Sequence, residues 1–142
     1  QKAVYNAVNS VKEQATKLLV PGTLWKEYHK EVGHIMTSEL LGLGLIDKAD
    51  VKNENPDWPA YKKYFMHGTS HHMGLDTHDY GLLWEPMQAN MVFTVEPGIY
   101  IPEEGFGIRL EDDVVIQQTG APFNLMRNIP ILADEIEDLM NS

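Results

Sequence analysis

The spacing of the apolar residues changes once along this chain, and that change constrains the fold more than any other feature. Up to about residue 42, apolar side chains recur every three or four residues, which is the spacing of amphipathic helices. After Met66, β-branched and aromatic residues gather at 91–101 and 107–117, as is typical of strands. Helices followed by paired strands predict the α+β class, with helices covering an antiparallel sheet.

The first half predicts two helices and a long connection. Pro21 and Gly22 separate the helical patterns, and Thr23 is expected to cap the second helix. We expect Lys12 to lie on the polar side of the first helix. Residues 46–66 are polar and irregular in pattern, and such long loops are often functional or mobile. The first helix carries its apolar stripe on Val4, Ala7, Val8, Val11, Ala15, Leu18 and Leu19.

The second half predicts a hairpin and a short final helix at 133–140. Residues 102–105 (PEEG) have turn composition and are expected to join the two strand segments. Pro97, which lacks a backbone N–H, is expected to stop or bulge the ladder. Alternation along the later segment places Arg109, Glu111 and Asp113 on one face. The connected strands therefore bring acidic side chains toward one region.

Composition excludes several classes of protein. The 142 residues are 43% hydrophobic, enough for a core, and the net charge of −10 argues against nucleic acid as a partner. No apolar run approaches the ~20 residues that cross a bilayer, so we expect no membrane partner. The chain has no cysteine. That excludes disulfides and thiolate ligands, and it fits a reducing compartment such as the cytoplasm.

Histidines are concentrated in one short segment. Four of the six histidines lie within 67–78, which suggests a metal or catalytic site. A helical zinc pair at His67 and His71 is disfavoured, because the intervening residues are poor helix formers. In an extended segment His67 and His71 share a face and His72 points away. His72 is therefore expected to be a bystander, and His29 and His34 are expected to be scaffold.

The candidate carboxylates come from the strands. Glu96 ends an apolar strand, so it either meets solvent or points into a site. Arg109 beside Glu111 is either a surface ion pair, worth about 0–1 kcal/mol, or an arginine that orients a metal-binding glutamate. One imidazole with carboxylates and no thiolate suits Mn²⁺, Fe²⁺, Co²⁺ or Zn²⁺. Together with His71, the two glutamates give three potential ligands.

The order of the motifs resembles the aminopeptidase P and prolidase branch of the pita-bread metallopeptidases. The resemblance spans nearly the whole chain and implies part of a pita-bread fold, a curved antiparallel sheet covered by helices. It rests on four blocks in order, HGTSH at 67–71, GLDTHD at 74–79, TVEPGIY at 94–100 and RLEDD at 109–113.

This resemblance also implies residue roles. His71, Glu96 and Glu111 match metal ligands, and Glu111 matches the one that bridges two metals. Glu96 also matches the residue that handles the proton of the attacking water. The other matches are His67 and His78, which hold substrate and stabilise the oxyanion, Arg109, which supports a ligand, and Tyr100, which lines the neighbourhood.

The implied activity is hydrolysis of an N-terminal Xaa-Pro bond in a proline-containing peptide by a metal-activated water. Two divalent ions are implied, Mn²⁺ foremost, with Co²⁺, Zn²⁺ and Fe²⁺ open. Alternatives are a prolidase acting on dipeptides, a methionine aminopeptidase, a creatinase-like hydrolase and a non-catalytic pita-bread module that binds a protein. An ordinary α+β domain with an incidental histidine cluster, and an assembly of identical chains, are also left open.

The family pattern includes elements that we do not find in residues 1–142. It has two aspartate ligands on a β-hairpin before the first block, another histidine and an N-terminal domain. We therefore expect residues 1–142 to be the C-terminal portion of a single metallopeptidase catalytic domain. By themselves they are expected to be inactive and to bind metal weakly or not at all.

Overall fold

The structure is a computed structural model that describes residues 1–142. It confirms the α+β class, with helices mostly first and antiparallel strands after them. The helices are α1 (Lys2–Lys17), α2 (Trp25–Gly42), α3 (Lys48–Lys52) and α4 (Ala133–Met140). The strands are β1 (Val92–Val95), β2 (Gly98–Ile101), β3 (Phe106–Arg109), β4 (Asp112–Val115) and β5 (Phe123–Asn124).

The strands form two antiparallel ladders. One has the order β1-β4-β5, and the other pairs β2 with β3 around the predicted turn at 102–105. The predicted interruption at Pro97 is confirmed. Residues 107–117, expected as one strand, are instead divided at 110–111, directly opposite 96–97. Because Pro97 offers no N–H, the ladder breaks on both arms at once.

One face of α1 packs into the main core. The buried apolar positions match the predicted stripe, but the expected position of Lys12 is wrong, since its side chain is buried. Lys12 lies four residues after Val8 and three before Ala15, so helical geometry puts it inside the stripe. Its ammonium group pairs with Asp112 of β4.

The turn between α1 and α2 differs from expectation. Thr23 does not cap α2, whose N-cap is Leu24 without a side-chain hydrogen bond. The Thr23 hydroxyl donates instead to the carbonyl of Leu18 at 3.0 Å. The turn thus folds Thr23 back over the end of α1, where the Leu18 carbonyl accepts from both the Thr23 hydroxyl and the backbone N–H of Val20.

Residues 46–66 are more ordered than their pattern suggested. They contain α3 and a 3-10 turn at Ala60–Lys63. Tyr64 and Phe65 are buried in the core, and the carbonyl of Tyr64 accepts a hydrogen bond from the backbone N–H of Tyr100 at 2.9 Å. The segment therefore covers the outer edge of β2. None of the helices combines the length and the apolarity needed to cross a membrane.

Candidate functional site

Glu96 and Glu111 lie in the facing interruptions of the two hairpin arms. Val95 pairs with Asp112 before the break, and Gly98 pairs with Arg109 after it. Freed from the ladder, the two glutamates approach each other from opposite arms. The break that Pro97 causes is therefore what places both carboxylates in one position.

His71 reaches the same position because residues 69–73 run beside β1. The backbone N–H groups of Thr94 and Glu96 donate to the carbonyls of His71 and Thr69, at 3.1 and 2.7 Å. This pairing lays the histidine segment along the free edge of β1. The backbone N–H of His71 also donates to the Thr94 hydroxyl at 3.1 Å. The extended geometry expected for this segment is thus observed.

His72 points the other way, as the alternation predicted. Its ring stacks on Trp25 with a centroid separation of 5.6 Å and lies 4.5 Å from Phe93. His29 also packs against Trp25, at 5.1 Å, and burial lowers the pKa of His29. Both histidines are half-buried and belong to an aromatic cluster beside the site.

The donor atoms of His71, Glu96 and Glu111 lie within 4.8 Å of one another. His71 Nε2 is 3.1 Å from Glu96 Oε1, with these side chains 22% and 15% exposed. His71 Nδ1 lies 2.9 Å from the carbonyl of His72, which can only accept, so Nδ1 donates. When the His71 ring is neutral, the lone pair of Nε2 therefore faces the Glu96 carboxylate. Two facing acceptors call for a proton or a cation, and the donor set fits a divalent metal.

The electrostatics around Glu111 are consistent with a cation site. Burial raises the pKa of Glu111, and the neighbouring Glu96 and Asp113 charges raise it further. Burial likewise raises the pKa of Asp113, whose Oδ1 is buried without a hydrogen-bond partner. Arg109 is the nearest fixed positive charge, with Nη1 3.7 Å from Glu96 Oε2. Glu96 and Glu111 thus share one arginine.

The other two predicted histidines flank this cluster. The exposed His78 ring lies 4.5 Å from the His71 ring. His67 Nδ1 lies 2.8 Å from the Gly68 carbonyl and donates to it, so Nε2 accepts from the Tyr100 hydroxyl at 2.8 Å. His78 therefore borders the cluster through His71, whereas the recorded contacts of His67 are with Gly68, Phe65 and Tyr100, and the individual roles stay predictions.

Residues that the sequence reasoning missed hold this region in shape. Asp79 accepts from the backbone N–H groups of Leu75 and Tyr80, at 2.9 and 2.8 Å, and so folds the loop that carries His78. The sequence signal was its place in the histidine-rich block. Lys12 and Asp112 were also missed, although the helical spacing of Lys12 could have revealed its burial.

Comparisons with known proteins show the family of this chain. The model for metallopeptidase family M24 matches residues 1–118. Xaa-Pro aminopeptidase of Escherichia coli is 41% identical over 99% of this chain and 34% of its own length. Zn-substituted aminopeptidase P of Escherichia coli, in complex with product, superposes with a TM-score of 0.84 at 40% identity, over 99% of this chain and 34% of that one.

A second solved structure gives the same result. Aminopeptidase PepP of Pseudomonas aeruginosa has a TM-score of 0.83 at 34% identity, over 99% of this chain and 34% of its own. The chain thus spans about a third of the length of the relatives that it matches. The likeness to aminopeptidase P structures confirms the expected pita-bread architecture. Since the family model covers most of the chain, this protein belongs to metallopeptidase family M24.

Proposed function

We propose that the full-length protein is an Xaa-Pro aminopeptidase, to which this chain contributes part of the active site. The observation that carries the proposal is the convergence of His71, Glu96 and Glu111 within 4.8 Å. The similarity to proteins named Xaa-Pro aminopeptidase supports the bond that is cleaved. A solved structure of the Escherichia coli aminopeptidase P holds the inhibitor Pro-Leu, which supports a proline-containing peptide as substrate.

His71, Glu96 and Glu111 would hold the metal, and a bound divalent metal would lower the pKa of water and polarise the scissile carbonyl. Glu96 lies between His71 and Arg109, where its carboxylate can accept a proton from water and pass it to the leaving proline nitrogen. His78, exposed beside His71, can donate a hydrogen bond to the developing oxyanion. The position and the chemistry of each group support these roles.

His67 and Tyr100 form the wall that would contact the substrate. Phe65 packs edge-on against His67 with a centroid separation of 4.9 Å, and the Tyr100 hydroxyl lies 2.8 Å from Nε2 of His67. An aromatic wall suits the apolar ring of proline. We therefore place the proline side of the scissile bond here.

Four finer statements are part of this proposal. We expect two divalent ions, with Mn²⁺ as the natural metal, and a cytoplasmic location, which the lack of cysteine favours. That residues 1–142 are the C-terminal portion of a single catalytic domain stays a prediction. Assembly into a homo-oligomer stays one as well.

The test is hydrolysis by the full-length protein of Xaa-Pro-Yaa tripeptides, Xaa-Pro dipeptides and Xaa-Ala-Yaa tripeptides. We expect release of the first residue from Xaa-Pro-Yaa with Mn²⁺ added, and loss of this activity in Glu96→Gln. The matched control is Glu103→Gln, an exposed glutamate on the turn between β2 and β3. Cleavage of dipeptides alone would identify a prolidase. If none of the peptides is cleaved, the protein is instead expected to be a non-catalytic module that binds a protein partner.

A further inference from the structure

A buried polar network joins α1 to the strands that carry the site. The Lys12 ammonium group pairs with Oδ2 of Asp112, and their side chains are 3% and 12% exposed. Asn124 of β5 donates from Nδ2 to the same oxygen at 2.9 Å, while its Oδ1 accepts from the backbone N–H of Met126 at 2.7 Å. We call this the Lys12–Asp112–Asn124 network. It links a helix and two strands at one carboxylate.

Stability alone does not account for such a network. Taking two charges out of water is costly, and apolar replacements of a buried ion pair are often neutral or stabilising. The rest of the α1 stripe is apolar, so an apolar residue at position 12 would continue it. The ion pair therefore calls for a role that apolar packing would not supply, namely a defined orientation.

The position of Asp112 indicates which residue is oriented. Asp112 opens β4, follows Glu111 directly and pairs across the ladder with Val95, the residue before Glu96. Successive side chains in extended chain point to opposite faces. When Lys12 and Asn124 hold Asp112 on the α1 side, Glu111 is turned to the other side, toward Glu96.

We propose that the Lys12–Asp112–Asn124 network positions Glu111 for metal binding, so that Lys12, Asp112 and Asn124 are positioning residues. The proposal rests on the proposed function in one respect, that Glu111 is a metal ligand. Glu111 lies in a break between two strands, where the ladder does not hold its backbone. The network supplies the missing restraint from the adjacent residue.

The test uses the full-length protein with the double substitution Lys12→Met and Asp112→Leu. We expect an unchanged or higher melting temperature, but Mn²⁺ binding weaker by about ten-fold or more, since supporting residues of metal ligands have effects of that size. Titration calorimetry measures the dissociation constant for Mn²⁺. The single substitution Lys12→Arg leaves Asp112 in place and keeps the ion pair, so it should retain most of the affinity. The control is Lys63→Gln with Glu103→Gln, an exposed pair 3.6 Å apart.

A double variant that melts normally and binds Mn²⁺ like the wild type would overturn the proposal. If the double variant fails to fold, Asn124→Ala provides the second test, because it removes one hydrogen bond to Asp112 and leaves the ion pair. Weaker Mn²⁺ binding in Asn124→Ala supports the proposal, and unchanged binding overturns it. A wild type that binds Mn²⁺ without cleaving peptides would overturn the peptidase function alone.

Discussion

The neighbouring residues His71 and His72 point in opposite directions and have different surroundings. His71 faces Glu96 and Glu111, while the half-buried His72 stacks on Trp25 and contacts Phe93. Adjacent residues of an extended segment point to opposite faces, so the same side chain has opposite surroundings one position apart. Substitution of His71 should therefore affect metal binding, whereas substitution of His72 should affect packing.

In the full-length protein, Glu111→Ala should abolish metal binding and Xaa-Pro hydrolysis, because the other donors cannot replace it. His72→Ala should leave both nearly intact and lower the free energy of unfolding by about 1 kcal/mol, through lost aromatic contacts. Elemental analysis, peptide hydrolysis and denaturant unfolding measure the three quantities. Similar metal losses in both variants would contradict this assignment of the cluster.

His29 predicts a dependence of stability on pH. Burial lowers its pKa in the folded state, so below the unfolded value, about 6.5, the unfolded chain binds more protons. The free energy of unfolding is therefore unaffected by His29 above about pH 6.5, and it decreases as pH falls below that value. His29→Gln should lose less stability than the wild type between neutral and mildly acid pH. Denaturant unfolding at both pH values measures this loss. If the free energy of unfolding falls equally in the wild type and in His29→Gln, His29 does not contribute to the pH dependence.

At the scale of elements, β2 and β3 position the Tyr100 ring. Tyr100 pairs with Gly107 across the ladder, and a Cβ at Gly107 would lie 2.5 Å from Cδ1 of Tyr100. The ring thus packs directly over the glycine backbone, from where its hydroxyl reaches His67. The pairing of β2 with β3 therefore positions Tyr100 for its hydrogen bond to His67 in the proposed substrate wall.

Gly107→Ala should push the Tyr100 ring aside and break its hydrogen bond to His67, at a cost of about 1 kcal/mol. We expect KM for Xaa-Pro-Yaa to rise several-fold in the full-length protein, with metal content unchanged. The matched control is Gly42→Ala at the end of α2, where no atom lies within 4 Å of the added Cβ. An unchanged KM in Gly107→Ala would separate Tyr100 from substrate binding.

At the scale of the whole molecule, the site depends on segments that are distant in sequence. This chain contributes three donors, from the histidine segment and from both hairpin arms. Two of them are carboxylates: burial raises the pKa of Glu111, and the neighbouring Glu96 charge raises it further when no cation balances the pair. Additional ligands should therefore matter strongly for affinity.

A polypeptide of residues 1–142 should bind Mn²⁺ much more weakly than the full-length protein and should not hydrolyse peptides. Removal of metal with a chelator should lower the melting temperature of the full-length protein, because a ligand that binds only the folded state stabilises it. Calorimetric titration of both forms and thermal unfolding with and without chelator measure these effects. Equal affinity in the two forms would show that three donors suffice.

Local features of the sequence determined α1 and α2, the turn at 102–105, the break at Pro97 and the direction of His72, away from His71. Each depends on spacing or on backbone chemistry within a few residues, and the order of the motifs added the family and the candidate ligands. The second break at 110–111 was not predicted, because it results from the ladder partner of Pro97 rather than from its own residues.

Only the tertiary structure decided which distant groups meet. The pairing of 69–73 with β1 brings His71 to Glu96, and the burial of Lys12 places its charge on Asp112, one hundred residues away in sequence. Helical spacing defined the position of Lys12 on α1 but not the carboxylate that stabilises it there. Periodicity describes one element at a time, whereas a buried charge or a metal site requires side chains from several elements to converge, and that depends on how the elements pack.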